Sequence, residues 1–130
     1  MIKASDLKVI HWDYTQPKKT IMLNDSYQLI PLKAIKTENT VIGKSIGFRF
    51  KHRRFMEDFV YLSYIAEIHY TIDDRDNMDE KEMLKMFRNA YSKYCDKFDK
   101  LSENTPLEKT PLKAWDESKL DLTSLLALLK

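Results

Sequence analysis

Glycine is scarce in this chain, with two residues in 130, and its scarcity excludes several kinds of binding site. Gly43 and Gly47 lie four positions apart inside a strand-like pattern, so no glycine-rich loop is present to cradle a phosphate. So little glycine also argues against a turn-rich β-sandwich. We therefore expect no nucleotide site of the phosphate-loop type.

Cysteine and long apolar runs are also nearly absent. Cys95 is the single cysteine, which excludes an internal disulfide and predicts a reducing compartment. No run approaches the ~18 apolar residues of a membrane span. The polar stretch Met1–Asp6 has no apolar run after it, as a signal peptide would require. We therefore expect a cytoplasmic protein with no membrane span.

The remaining composition is that of a globular protein, but its charge is unevenly distributed. The chain is 43% hydrophobic and 32% charged with a net charge of +2, and its length of 130 residues predicts a single domain over residues 1–130. Residues 1–65 carry 11 Lys and Arg against 6 Asp and Glu, whereas residues 66–130 carry 11 against 14. This split reflects uneven solvated faces, or it orients the chain on a partner or on a second copy of itself.

Period-two alternation predicts strands in the first half of the chain. Residues 60–72 alternate between an apolar set that begins at Val60 and a more polar set that begins at Tyr61. Similar patterns predict three earlier strands, at Leu7–Tyr14, Tyr27–Thr37 and Val41–Lys51. Pro31 cannot donate to a ladder, so the second strand is expected either to lie at an edge of the sheet or to carry a bulge. The inward side chains of that strand are expected to be Ile30, Leu32 and Ala34.

The second half of the chain has the period of a long helix. Asp79 is the expected N-cap, Glu82 completes a capping box, and Met78 and Met83 form a hydrophobic staple. Apolar residues then recur every three or four positions to about Glu103. The pattern therefore predicts an amphipathic helix with one buried face.

An extended linker, Leu107–Trp115, follows this helix and is interrupted by Pro111. A short last helix is expected to start near Ser118 or Asp121. The predicted fold class is α+β, with a four-stranded antiparallel sheet followed by a long helix and a short C-terminal helix packed on one face.

No combination of residues supports catalysis or metal binding. His11, His52 and His69 lack ligand-like spacing relative to one another or to Cys95. Cys95 is interpreted as a packing or half-exposed thiol, because its acidic neighbours oppose a thiolate. We therefore expect no enzyme activity, no metal and no cofactor.

Lys44, Arg49 and the run Lys51–Arg54 form a basic cluster near the end of the third strand. Strands that bind single-stranded nucleic acid carry aromatic side chains on the same open face as the charges. Here Phe48 and Phe50 alternate onto the other face, which disfavours a nucleic-acid partner. The cluster is therefore a solubilising outer face or a contact for an acidic protein partner.

The chain also has more apolar residues than a four-stranded sheet and two helices bury easily. The surplus lies in the first loop and in the linker. One explanation is that the linker packs over an edge of the sheet. The other is oligomerisation or the binding of apolar segments, as is common for exposed apolar patches.

The order of these elements is similar to that of the SecB family of export chaperones. The shared features are four antiparallel strands, a long crossover loop after the first, a long helix, a proline-bearing linker and a short last helix. Leu7–Tyr14 resembles the first strand of the family. Pro111–Asp116 resembles the family's linker, which carries Pro-Leu and then an aromatic-Asp pair.

This resemblance implies a SecB-like molecular chaperone, a holdase that binds exposed apolar segments of unfolded or precursor proteins in protein transport or beside a toxin–antitoxin system. The implied client-binding residues are Trp12, Tyr14, Ile21, Met22, Leu23, Leu107, Leu112 and Trp115. The implied helix-to-helix interface of a homo-oligomer, a tetramer built as a dimer of dimers, consists of Tyr91, Tyr94 and Phe98. The alternative is a small phage or mobile-element protein that binds and modulates one host protein through its sheet.

Overall fold

The computed structural model describes residues 2–19, 21–33, 44–73 and 78–129. Its strands are β1 (Lys3–Ala4), β2 (Lys8–Tyr14), β3 (Asn24–Lys33), β4 (Lys44–Met56) and β5 (Phe59–Ile72). Its helices are α1 (Glu80–Leu101) and α2 (Leu122–Ala127), with two 3-10 turns between them, Pro106–Lys109 and Glu117–Lys119. Every described strand precedes every described helix, so the predicted α+β order is confirmed.

The described strands form one antiparallel sheet, in which a short additional strand, β1, precedes the first predicted strand. β1 and β2 both pair with β5, β5 pairs with β4, and β4 pairs with β3. Between β1 and β2 the Ser5 hydroxyl accepts a hydrogen bond from the His69 N–H at 2.9 Å, while the Ser5 N–H donates to the His69 carbonyl at 2.7 Å. The predicted strand Leu7–Tyr14 corresponds to β2, and the prediction of four strands is corrected to five because Lys3 and Ala4 pair with Thr71 and Tyr70 of β5.

The connection between β2 and β3 crosses from one edge of the sheet to the other. β5 and β4 pair side by side in the middle, with β2 beyond β5 and β3 beyond β4. The chain between Tyr14 and Asn24 therefore passes from edge to edge. Pro31 lies on the edge strand β3, in agreement with its predicted position.

One face of the sheet carries the core. The inward side chains of β4 and β5 are buried, namely Ile46, Phe48, Phe50, Leu62, Tyr64, Ala66, Ile68, Tyr70 and Ile72. The face of α1 that packs against them consists of Met83, Met86, Phe87, Ala90, Tyr91, Tyr94 and Phe98. The molecule thus has two layers over its described residues, with α1 on one side of the sheet only.

The side chains of β3 lie on the opposite faces from those predicted. Leu29 is paired with Phe50, so Leu29 faces the core, and its neighbour Ile30 faces outward together with Leu32. The prediction that Ile30 and Leu32 point inward is wrong, because the register on β4 decides which alternate residues of β3 face the core. Ala34 lies outside the described residues.

An irregularity in β2 brings an additional aromatic side chain to the core. The register of β2 on β5 shifts between Val9 and His11. This bulge leaves Ile10 42% exposed, while Val9 and Trp12 both pack against the core. A regular alternation starting from Val9 would have turned Trp12 outward.

The start of α1 has the predicted cap. The Asp79 carboxylate accepts a hydrogen bond from the Glu82 N–H at 2.8 Å, and Met83 is fully buried one residue later. The helix ends at Leu101, and the Ser102 hydroxyl donates to a carbonyl of the last turn at 2.7 Å. Local sequence therefore specifies both ends of this helix to within about two residues.

Tyr64 of β5 and Tyr94 of α1 form a reciprocal pair at the centre of the core. Their rings stack with centroids 4.2 Å apart and an interplanar angle of 4°. The Tyr64 hydroxyl donates to the Tyr94 carbonyl at 3.0 Å, and the Tyr94 hydroxyl donates to the Tyr64 carbonyl at 2.8 Å. Burial raises the pKa of both tyrosines, so each hydroxyl keeps the proton that it donates.

We expect Tyr94→Phe to lower the free energy of unfolding by about 1–3 kcal/mol, because the Tyr64 carbonyl loses a buried donor. Urea unfolding followed by circular dichroism measures the change. The matched control is Tyr61→Phe on the outer face, where the hydroxyl makes no hydrogen bond within the described residues. Equal effects of the two substitutions would contradict a special contribution of the Tyr64–Tyr94 pair.

Candidate polypeptide-binding surface

The predicted client-binding residues of the edge strand β2 support the core. Trp12 lies against Tyr64 with ring centroids 5.4 Å apart and against Phe98 at 5.9 Å, both edge to face. Tyr14 is half-buried and also packs against the core. Both aromatic residues extend the buried cluster towards the edge of the sheet.

The linker folds back over the core. Leu107 is 5% exposed, and Leu112 is half-buried against the same cluster. The Trp115 ring lies 5.4 Å from the Tyr91 ring, and it also contacts Phe50 at 5.9 Å and Phe87 at 5.5 Å. Of the two explanations for the apolar surplus, packing over the sheet accounts for these linker residues.

Arg54 fastens the linker to the sheet. Its guanidinium is buried, donates to the Thr110 hydroxyl and carbonyl at 2.5 Å each, and donates to the Asp25 carboxylate at 3.0 Å. It also lies 5.6 Å from the centre of the Phe98 ring. Charge-assisted hydrogen bonds of this kind offset the cost of burying the guanidinium. Arg54 is therefore a buried structural residue, whereas the sequence analysis assigns it to the basic cluster.

Two tyrosine hydroxyls add to this attachment through the backbone of Lys113. The Tyr91 hydroxyl donates to the Lys113 carbonyl at 2.6 Å, and the Lys113 N–H donates to the Tyr27 hydroxyl at 3.2 Å. A groove of about 350 Å³ remains between β3 and the linker, lined by Asp25, Tyr27, Lys113, Ala114, Trp115, Asp116 and Lys119. Its two aromatic walls are already engaged in packing or hydrogen bonds.

His52 is a buried polar side chain beside Arg54. Its side chain is 0% exposed, and its Nε2 lies 3.3 Å from the Asp25 carboxylate without hydrogen-bond geometry. Its ring packs against Tyr27 with centroids 4.4 Å apart. Burial and, to a smaller extent, the Arg54 charge lower the pKa of His52 to about 4 against the opposing effect of Asp25. His52 is therefore neutral at pH 7.

The three residues predicted for a helix interface are core residues of the single chain. Tyr94 and Phe98 are 1% and 0% exposed, and Tyr91 is 8% exposed beneath the linker. While the linker is in place, these side chains contact their own sheet. The predicted dimer of dimers would have to use other side chains of α1.

Several large apolar side chains stay exposed at the end of the sheet where β4 turns into β5. Phe59 is 51% exposed, Val60 is 41% and Met56 is 40%. Met22, in the crossover between β2 and β3, is 90% exposed. We name these four residues, together with Ile21, the hairpin-tip patch.

A groove of about 340 Å³ adjoins the hairpin-tip patch. It is lined by residues 15–19 and by Ile21, Phe59 and Tyr61. The Phe59 and Tyr61 rings pack together with centroids 4.5 Å apart. Ile21, Met22 and Leu23 are among the client-binding residues that the sequence analysis predicts, and Leu23 lies beside the other two, half-buried. Met56, Phe59 and Val60 were missed, although apolar residues on both sides of Glu57-Asp58 could have indicated an exposed turn.

The described residues contain neither a cluster of metal ligands nor an activated cysteine nucleophile. They contain no group of three or more His, Cys, Asp or Glu side chains placed to hold a metal. Burial raises the pKa of the Cys95 thiol to about 11, with added effects of Asp99 and Asp96, so this cysteine is protonated and a poor nucleophile. Among the described helices, none is long and apolar enough to cross a membrane.

Comparison with known proteins yields no relative. No protein-family model, no curated protein and no solved structure matches this chain. The functional argument therefore depends on the surfaces described above.

The low pKa of His52 predicts acid sensitivity. The folded pKa lies below the ordinary value of 6.5, so the unfolded chain takes up the proton first and stability is lost as the pH falls from about 6.5 to 4. The loss attributable to His52 should reach about 3 kcal/mol. Unfolding in urea across this pH range measures it, and His52→Gln should flatten the profile while His11→Gln at an exposed position should not. Parallel profiles for the native chain and His52→Gln would contradict this assignment.

Proposed function

We propose that this chain is a SecB-like holdase that binds exposed apolar segments of unfolded or precursor polypeptides at the hairpin-tip patch. The observation that carries the proposal is the concentration of exposed apolar side chains at one end of the sheet. Met22, Met56, Phe59 and Val60 are each at least 40% exposed, and they lie in the hairpin and in the crossover. Exposed apolar patches in soluble proteins commonly mark binding sites.

The size of the patch suits reversible binding of short segments. Val60 alternates with Phe59 along β5 and so lies on the other face of the hairpin. Taking ~200 Å² for a large side chain, the exposed fractions of Met22, Met56 and Phe59 correspond to an apolar area on the order of 350 Å². A stable interface between folded proteins buries about 800 Å² on each partner. A smaller apolar area gives the weak and exchangeable contacts that a holdase requires.

The residues of the patch also suit clients of varied sequence. Met22 and Met56 have unbranched, polarisable side chains that adapt to differently shaped partners. Surfaces rich in such side chains bind promiscuously because they repack around each client. The open groove beside Phe59 adds room for a further apolar side chain.

Charges of both signs surround the patch. Lys18 and Lys19 line the groove, and Glu57 and Asp58 are exposed in the hairpin turn. An anionic membrane would attract the lysines and repel the two carboxylates at the tip. A polypeptide, which itself carries charges of both signs, meets no such conflict.

We expect the double variant Met22→Ser with Phe59→Ser to need about tenfold more chain to suppress aggregation of a chemically unfolded test enzyme. Removing contact with two large apolar side chains costs at least ~1.4 kcal/mol of binding energy, which corresponds to this factor. Light scattering during dilution of the enzyme from denaturant measures the effect.

The matched control for this experiment is Ile2→Ser with Ile10→Ser, two apolar side chains, one just before β1 and one in β2, that are 37% and 42% exposed. The control variant should suppress aggregation as well as the native chain. The proposal fails if the native chain does not suppress aggregation, or if the control and the tip variant are impaired alike.

A further inference from the structure

The face of the sheet opposite α1 is a second surface, which adjoins the hairpin-tip patch along β5. We name it the open sheet face and define it by the outward side chains within Ser26–Leu32, Ser45–Arg53 and Ser63–Thr71. The described helices and the linker pack on the other side of the sheet. Most outward side chains of β4 and β5 are therefore partly exposed.

Three cations in a row cross the middle of this face. Arg49, Lys51 and Arg53 are alternate residues of β4, so neighbouring cations are about 7 Å apart along the strand. Arg49 is neutralised by Glu67 directly opposite on β5, at 2.8 Å. Lys51 and Arg53 have no ion pair within the described residues.

The neighbours of Lys51 and Arg53 leave their charges uncompensated. Arg53 has Ser63 on one side and Ser26 on the other, and Lys51 has Ile65 beside it. Asp13, the acid in the same row as Arg53, lies two strands away, a separation of about 10 Å. Solvent ions largely screen exposed charges at that separation. The two free cations therefore repel each other at the centre of the sheet with little compensation.

Apolar side chains lie next to these cations on the same face. Ile30, Leu32 and Ile65 point outward, and none of them belongs to the apolar cluster of the core. The His69 ring lies over Gly47, where an added Cβ would approach it to 2.7 Å, so a side chain at this position would disturb the surface. The face therefore has an apolar zone beside a cationic one.

We propose that the open sheet face docks a folded protein partner whose contact surface has an apolar centre and an acidic edge. The acidic edge of the partner is inferred from charge complementarity, because Lys51 and Arg53 have no ion-pair partner of their own within the described residues. The four strands β2–β5 span about 15–20 Å and their paired lengths about 30 Å, which gives roughly 500–600 Å². This area approaches the ~800 Å² per partner of a standard interface.

A nucleic-acid partner fits this face less well. Binding of single strands depends on aromatic side chains that stack bases beside the charges. Phe48 and Phe50, the aromatics that alternate with the cations of β4, are 0% exposed in the core. The outward aromatics of β5, Phe59 and Tyr61, pack against each other with centroids 4.5 Å apart, whereas the side chains Ile65, Ile30 and Leu32 on this face are aliphatic and suit a protein surface.

The test uses a helical peptide with leucines on one face and flanking glutamates as a stand-in for the acidic partner. The native chain should bind this peptide at low ionic strength, and binding should weaken as salt is added. The double variant Lys51→Glu with Arg53→Glu should bind it at least about tenfold more weakly, as measured by fluorescence anisotropy. Lys81→Glu, at an exposed position of α1, should bind like the native chain.

Two further probes complete the test. The same peptide with lysine in place of glutamate should not bind, and neither should a single-stranded thymidine oligonucleotide. The proposal is overturned if the double variant binds the acidic peptide as tightly as the native chain, or if the oligonucleotide binds with the same sensitivity to the double variant. Urea unfolding of the double variant should be no easier than that of the native chain. Its suppression of aggregation should be unchanged, because this docking site does not depend on the hairpin-tip patch.

Discussion

The contact between Tyr64 and Tyr94 is the interaction on which the rest of this structure depends. Two stacked rings and two reciprocal hydrogen bonds join the middle of α1 to the middle of β5. Because each hydroxyl is satisfied by the backbone of the other element, the pair fixes the position of the helix as well as its distance from the sheet. Fixing α1 on one face of the sheet leaves the other face available for a partner.

Arg54 has a similar organising role for the linker. A guanidinium buried between Asp25, Thr110 and Phe98 joins β3, β4, the linker and the end of α1. With the linker in place, Trp115 and Leu107 complete the core. The large apolar side chains that stay exposed are therefore concentrated at the hairpin, where the chain turns and Phe59 and Met56 keep 51% and 40% of their surface. The hairpin tip and the open sheet face consequently differ in chemistry, since the first is apolar and the second carries free cations beside aliphatic side chains.

Much of the fold could be predicted because its signals are local. The alternation from Leu62 to Ile72 matches a strand whose inner side chains are buried, and Asp79 caps α1 as its spacing to Glu82 indicates. The additional strand β1 could not be predicted, because two residues carry no periodicity and their pairing with Thr71 and Tyr70 joins segments far apart in the sequence. The outward orientation of Ile30 was missed for a similar reason, since the pairing of β3 with β4 decides it.

The candidate binding surfaces also combine features that local sequence predicts with features that depend on distant contacts. Periodicity and composition are enough to indicate that strands precede helices, that α1 has one buried face, and that the chain carries more apolar residues than its regular elements need. Which of those residues become core and which become surface depends on how the elements pack together. Trp115 and Phe59 are both large aromatic residues outside α1, yet the first is enclosed by Phe50, Phe87 and Tyr91 and the second is half-exposed. The physical reason is that burial depends on contacts between distant segments, which local periodicity does not encode.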